Sequence, residues 1–440
     1  MATIAKFTIT QIDDKDKITN FMHPALPNSS IINDYRKLVD FKVATIGGYP
    51  RSKVASALDK CLSQQKIEDS LYWAFQLLSS GIVDLLWEKL VGYASKNINI
   101  YNPHLPEWLY QKSLSWYMIT STERYKKNNI LNLRNHPTIR NILTEIIVII
   151  CSSKPRKLEI LPKNSKSDFI ITNFNSKLES SDMLLTHNIF KDNDSKEIRI
   201  ACNEIAFHLF GGNIVKALYW FSWILAWETI NIKKYTKFEC NVRSGSFFES
   251  KNSIPLKGNT NVIWLIWSII ENVKNKKNIF SNNLEIVMRS LWELFMMKYT
   301  SGYRNKRIIY IIWCMSYLCN PIDWNIQIIS ASNQLMLFTA LLKNDKIISR
   351  IINSSSVKLL NSADSSSVKL LNPADSIIEN NYRHQPQNIV NDNNITNINN
   401  TKHQISKNAK VKKGALSHES QQKLDQINKI DKYIETTIFT

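Results

Sequence analysis

Apolar residues recur along this chain at three- and four-residue spacing, the mark of amphipathic helices. Val54, Ala57, Leu58 and Cys61 share a face and predict a helix over 51–63. Ile67, Leu71, Ala74, Phe75 and Leu78 predict a second over 66–79, with Gly81 just past its end as a stop. Leu86, Leu90 and Tyr93 carry a third over 83–95. Asn102-Pro103 opens a fourth that runs through Trp108 and Trp116, and Pro137 starts a fifth over 138–151. The same patterning returns over 196–209, 214–230, 262–274, 284–299, 306–319 and 325–352. Gly47-Gly48-Tyr49-Pro50 is a turn signal ahead of the first helix.

The two halves share a register. Leu71-Tyr72-Trp73 returns as Leu218-Tyr219-Trp220, 147 residues later. Around it, without a gap, Leu58 aligns with Ile205, Leu62 with Leu209, Ile67 with Ile214, Leu77 with Ile224 and Leu78 with Leu225. Two copies of one helical unit explain that register. The helix over 262–274 then matches the one over 83–95, with Trp264 and Trp267 in place of Trp87. The helix over 284–299 matches 138–151, which makes Glu145 and Glu293 equivalent.

The expected fold is all-α: two tandem homologous helical-bundle domains followed by a disordered C-terminal tail. The boundaries fall at an N-terminal arm over 1–40, a first repeat domain over 41–157, a polar linker over 158–195 and a second repeat domain over 196–352. A low-complexity segment follows over 353–416, in which eleven residues repeat at 354–364 and 365–375 with one change, Ser362 against Pro373. Leu424, Ile427, Ile430 and Ile434 place a short amphipathic helix in 417–440, suited to docking or self-association.

Charge adds a candidate partner. The formal net charge is +19, and the tail from residue 351 holds 11 Lys+Arg against 8 Asp+Glu, so most of the excess lies in the helical part. A basic balance points to an anionic partner, nucleic acid first. Lys outnumbers Arg by 43 to 13, and Asn and Ile are abundant, which is also what an A/T-rich genome imposes without selection for binding. Six scattered cysteines complete no zinc spacing and read as reduced, buried thiols. Met1 to Thr10 lack a signal pattern, and the apolar run 308–319 falls short of the roughly 20 residues a bilayer needs, so a soluble intracellular chain without membrane contact is expected.

Catalytic motifs do not accompany the helices. Neither Gly47-Gly48 nor Gly211-Gly212 is followed by the Lys-Ser/Thr of a phosphate-cradling loop, so no cofactor is expected and the chain should neither bind nor hydrolyse nucleotide. Asp192-Asn193-Asp194 imitates a calcium loop but has Glu197 where the sixth-position glycine belongs. His208 sits among apolar neighbours as a core histidine, and Arg289–Glu293 has the spacing of a helical ion pair. The Trp and Tyr residues lie inside apolar helices, which favours core packing over base stacking. The best surface candidates are two basic turns, Lys154, Arg156 and Lys157 at the end of one unit and Arg304, Lys306 and Arg307 at the end of the other, which together would make paired phosphate contacts on DNA.

The stretch Val54-Ala55-Ser56-Ala57-Leu58-Asp59-Lys60, then Leu71-Tyr72-Trp73, then Tyr93-Ala94-Ser95-Lys96-Asn97-Ile98 and Asn102-Pro103 resembles the C-terminal helical collar of the replication-associated recombination protein A type of AAA+ ATPase. Cys151 to Lys154 loosely resembles that family's later Ser-Pro-Lys turn. The likeness covers about a quarter of the chain and implies a helical, oligomerising region. The ATPase and lid modules have no counterpart, so ATP hydrolysis is not implied. Over most of 41–342 the chain also resembles uncharacterised proteins of giant nucleocytoplasmic DNA viruses, which implies a viral origin and a location in host cytoplasm, viral factory or virion. The resulting expectation is a non-enzymatic scaffold or oligomerising factor near viral DNA replication or recombination. The alternatives are a structural virion or host-interaction protein without nucleic-acid contact, and an enzyme of unknown type.

Overall fold

The computed structural model describes residues 30–363, apart from 183, 192–193, 195–196, 233–260, 278–280 and 298. The arm before residue 30, the insertion at 233–260 with Cys240, the tail beyond 363 and the helix assigned to 417–440 lie outside the described residues.

Among the described residues the chain is all-α, and extended backbone pairs at a single bridge, Ala44 with Pro50. The helices are α1 (Arg51–Ser63), α2 (Ile67–Ser79), α3 (Val83–Asn97), α4 (Leu105–Thr120), α5 (Pro137–Ser152), α6 (Ile171–Asn175), α7 (Glu197–Phe210), α8 (Ile214–Ile232), α9 (Ile263–Lys276), α10 (Asn282–Met296), α11 (Arg304–Cys319) and α12 (Ala331–Ala363). Each helix expected from periodicity within the described residues is present, though α12 begins at Ala331 rather than at 325. α12 continues to 363, past the boundary drawn at 352, and a 3-10 helix over Lys127–Asn135 joins α4 to α5.

α2 is buried on every side from Ser70 to Ser79 and packs against α1, α3, α5 and α12. A helix apolar all round belongs in a core, and its Trp73 is fully enclosed. The turn at 45–50 holds the base of α2: the Gly47 amide donates to Gln76 Oε1 at 3.1 Å, and Tyr49 meets the Trp73 ring edge-on at 5.3 Å and 76°.

α8 is held in a parallel way by a segment the sequence presents as a linker. Phe174 meets Trp220 edge-on at 5.3 Å and 79°, and Trp223 Nε1 donates to the Asp168 carbonyl at 3.0 Å. Trp223 lies 147 residues beyond Gln76. Residues 162–177 therefore lie on α8 as packed chain, because Phe169 and Phe174 bury against its tryptophans and Ser222 donates to the Pro162 carbonyl. Asp168 fastens this segment with Lys177 and Tyr219. Burial pushes the Asp168 carboxyl up, but hydrogen bonds from Lys177, Ser165 and Tyr219 outweigh it and hold the pKa at about 2. A carboxyl depressed in the fold stabilises above its unfolded pKa, near 4, and that contribution goes as pH falls toward 2. Acid unfolding of Asp168→Asn should accordingly show a flatter dependence between about pH 4 and 2 than the parent chain.

The junctions α1–α2 and α7–α8 repeat bond for bond. Gln64, Gln65 and Lys66 amides donate to Lys60, Leu62 and Cys61 carbonyls; Gly211, Gly212 and Asn213 amides donate to Phe207, Leu209 and His208 carbonyls. Every partner is displaced by 147 residues. The left-handed position is Gln65 at φ 56° in one junction and Gly212 at φ 71° in the other. A Cβ on Gly212 would meet nothing nearer than the Cys319 carbonyl at 3.5 Å, so only backbone strain opposes a side chain there. Gly212→Ala should cost about 1–2 kcal/mol in denaturant unfolding, whereas Gln65→Gly should be neutral or better.

α5 packs on α1, α2 and α3, and α11 packs on α7, α8 and α9. α10 instead packs chiefly on α4 and α11. The chief partners of α5 are α12 and α2, and that of α11 is α10. α5 and α11 each carry a buried arginine at the fourth residue. Arg140 donates to the Arg134 and Ser30 carbonyls at 2.7 and 2.9 Å, and Arg307 to the Leu294 and Met297 carbonyls. Burial lowers the Arg140 pKa to about 10, which still leaves it charged at neutral pH.

Candidate nucleic-acid interface

The two basic turns have different structural settings. α5 ends at Ser152, and the chain turns back along the end of α3: the Arg156 amide donates to Asn97 O at 2.6 Å, the Leu158 amide to Lys96 O at 2.7 Å, and Asn99 Nδ2 to Arg156 O at 2.7 Å. This clamp presents Lys154 and Lys157 to solvent. Lys154 Nζ and Arg156 Cζ stand 5.3 and 5.2 Å from the centre of the Tyr101 ring. The Arg156 guanidinium also reaches Asn320 Oδ1 at 3.1 Å and Glu159 at 3.5 Å.

The second turn opens α11 rather than closing α10. Arg304 pairs with Glu228, whose side chain is 1% exposed, and donates to Asn261 Oδ1 at 3.1 Å. Glu228 Oε1 in turn accepts the Val262 amide at 3.0 Å. Arg304 and Glu228 thus tie the starts of α9 and α11 to the end of α8. Arg307 is buried and closes the carbonyl end of α10. Lys306 is exposed, 5.5 Å from the Tyr303 ring centre. The settings are also far apart. Arg156 touches Asn320, at the end of α11, and Arg304 begins α11; 16 residues at 1.5 Å rise separate them by ~24 Å.

Beside Lys154 lies a cleft of about 420 Å³. The 3-10 helix Asn99–Tyr101, the end of α5 and the loop 321–330 enclose it. Two long-range bonds bring the loop there, Asn102 Nδ2 to Ile328 O at 3.0 Å and His104 Nε2 with Trp324 O at 3.0 Å, and Tyr317 OH of α11 donates to Pro103 O at 2.7 Å. No family model, curated protein or solved structure matches the chain.

The other titratable residues singled out in the sequence serve helix packing. Glu145 pairs with Lys112 at 2.5 Å, and Arg289 stands 3.9 Å from Glu285. His208 is buried 3.3 Å from Glu204, and burial lowers its pKa although Glu204 opposes the shift. Glu204 also accepts the Glu179 and Ser180 amides, at 2.9 Å for Ser180, which anchors 179–180 to α7. Cys61, Cys151, Cys202 and Cys314 are buried and form no disulfide, and Cys319 is half-buried. Among the described residues no group of His, Cys, Asp and Glu is placed to hold a metal ion, and no helix is long and apolar enough to cross a membrane.

Tyr101, Asn102 and the loop 321–330 carry no motif, so nothing in the patterning of the chain joins them to the basic turn. Their one advance signal is the Asn102-Pro103 step, which marks a chain reversal before α4.

Proposed function

We propose that the chain is a non-enzymatic helical scaffold whose basic end at Lys154, Arg156 and Lys157 makes weak, sequence-independent contact with DNA phosphates. The clamp of 156–158 onto α3 carries this reading, because it holds three cations together at a rigid helix end with both lysines in solvent. Of the six residues expected to contact phosphate, Arg304 and Arg307 are engaged within the fold, and Lys306 is an exposed charge. Non-specific affinity of this kind lies on the order of 10⁻⁴–10⁻⁶ M and weakens steeply with salt. Fluorescence anisotropy of a single-stranded DNA of about 20 nucleotides, followed from roughly 50 to 200 mM salt, tests it; no binding at the lowest salt would defeat the reading.

The same proposal takes the chain as a duplicated unit, one copy in 41–157 and one in 196–352, joined through 158–195. The shared register and the matching junctions support it. A part in viral DNA replication or recombination, within host cytoplasm or viral factory, rests on the sequence resemblance.

A self-associating scaffold has support of its own. On α12, Leu335, Phe338 and Leu342 are 70, 59 and 66% exposed at i, i+3 and i+7, the spacing of a helix-to-helix seam. Ala340, Ile347, Ile348 and Ile351 fill its inner face.

A further inference from the structure

We propose that the outer stripe of α12 pairs with the same stripe of a second copy of this chain, antiparallel, about a twofold axis between Phe338 and Thr339. This deepens the self-association reading and rests on it.

α12 divides into two stretches. Among its described residues burial begins at Ala340. From there the inner face is seated: Ala340, Ile347, Ile348 and Ile351 are buried, Thr144 Oγ1 donates to Asn344 Oδ1 at 3.0 Å, and Lys343 pairs with Glu68. The three turns before and around Ala340 carry Leu335, Met336, Phe338 and Leu342 on the water side. At about 100° of turn per residue, Leu335, the Phe338–Thr339 step and Leu342 follow one another along the side opposite the buried residues. A contiguous apolar stripe on the solvent side of a helix marks a contact surface.

The order of residues in the stripe points to its cover. Asn333-Gln334-Leu335-Met336-Leu337-Phe338 is followed by Thr339-Ala340-Leu341-Leu342-Lys343-Asn344. Read inward from its two ends, the segment sets Asn against Asn, Gln against Lys, Leu against Leu and Met against Leu. A twofold interface is self-complementary: residue i of one copy meets j of the other while j meets i. An antiparallel helix pair therefore needs a stripe that reads alike in both directions, and a foreign partner would impose no such symmetry. In the pair, Leu335 of each copy falls on Leu342 of the other, and the two Phe338 rings meet beside the axis, where aromatic contact adds to apolar burial. Direction follows from charge. Exposed Lys346 continues the stripe one turn beyond Leu342. A parallel pair would set it against its own copy, a like-charge contact, whereas the antiparallel pair sets it by Ala331. A seam of three helical turns covers less than the roughly 800 Å² per partner of a standard complex, so exchange between monomer and dimer at micromolar concentration is expected.

Sedimentation velocity of the full chain over a micromolar concentration series, together with cysteine cross-linking under copper–phenanthroline, tests the proposal. The parent chain should pass from monomer toward dimer as concentration rises. Phe338→Glu should weaken the dimer by at least about tenfold, because both copies lose their central aromatic. It should keep the parent circular dichroism and urea midpoint, because the ring is exposed. A mixture of Leu335→Cys with Leu342→Cys should form a disulfide between the two variants. Leu335→Cys alone should form no more than the parent chain, because its two copies would stand seven residues, about 10 Å, apart along the seam, beyond the reach of an S–S bond. A parent chain that stays monomeric throughout would overturn the proposal and the self-association reading with it. A dimer that Phe338→Glu leaves unchanged would overturn the proposal alone and move self-association to another surface. A disulfide formed by Leu335→Cys alone as readily as by the mixture would overturn the antiparallel direction and replace it with a parallel seam.

Discussion

Trp73→Ala and Trp220→Ala are each expected to lower stability by about 3–5 kcal/mol, the cost of removing a large aromatic from a packed core. Both indoles are essentially inaccessible. Trp73 meets Tyr49 and Tyr72 edge-on, and Trp220 meets Phe174, Tyr219 and Trp223. The loss would reach beyond the cavity. Each indole also anchors the segment running into its helix pair, 45–50 in one case and 165–175 in the other, so those segments should gain proteolytic sensitivity in the respective mutant. Urea unfolding measures the first effect and limited proteolysis the second. A loss below about 1 kcal/mol at either site would mean that the indole does not fill the core.

Arg304→Ala is expected to cost a similar amount, about 3–5 kcal/mol, for an electrostatic reason. The substitution leaves the Glu228 carboxylate buried without its cation. Glu228 also receives the Val262 amide, so the damage should spread to the start of α9. In Arg304→Met/Glu228→Gln the buried charge is gone and the bond to Val262 survives through Oε1, so much of the lost stability should return. Lys157→Gln, on the exposed clamp, should stay within about 0.5 kcal/mol of the parent. That contrast separates a framework arginine from a surface cation, and urea midpoints of the four proteins read it directly. Equal, small losses at Arg304 and Lys157 would remove the assigned framework role.

The helical frame was legible because it depends on spacing. Buried faces of α1 and α3 follow the 3.6-residue period, and Gly81, at φ 75°, lies just past the end of α2 where a stop was expected. Other features depend on where a side chain points, which spacing does not encode. The turn at 300–307 reads equally well as the end of α10 or the start of α11. Its arginines read as surface cations until their carbonyl and carboxylate partners are visible. Phe169 and Phe174 are isolated aromatics in a polar run, too few to set a period, yet they pin 162–177 to α8. The cleft was the least legible part. Asn102 and Asp323 lie 221 residues apart in the chain, and only the loop contacts through Ile328 and Trp324 bring them to one wall.

On the proposed reading the exposed end at 154–157 touches DNA, while Arg304 and Arg307 at the start of α11 hold the fold. The most direct measurement is the salt slope of single-stranded DNA binding for the parent chain and for Lys154→Gln/Lys157→Gln. Single-strand binding falls with a slope near −0.7 for each phosphate neutralised, so losing two contacts should flatten it by about 1.4 and weaken binding most at low salt. The protein should keep its parent urea midpoint. An unchanged slope and affinity in the folded double variant would contradict the account and leave the basic charge as a by-product of base composition.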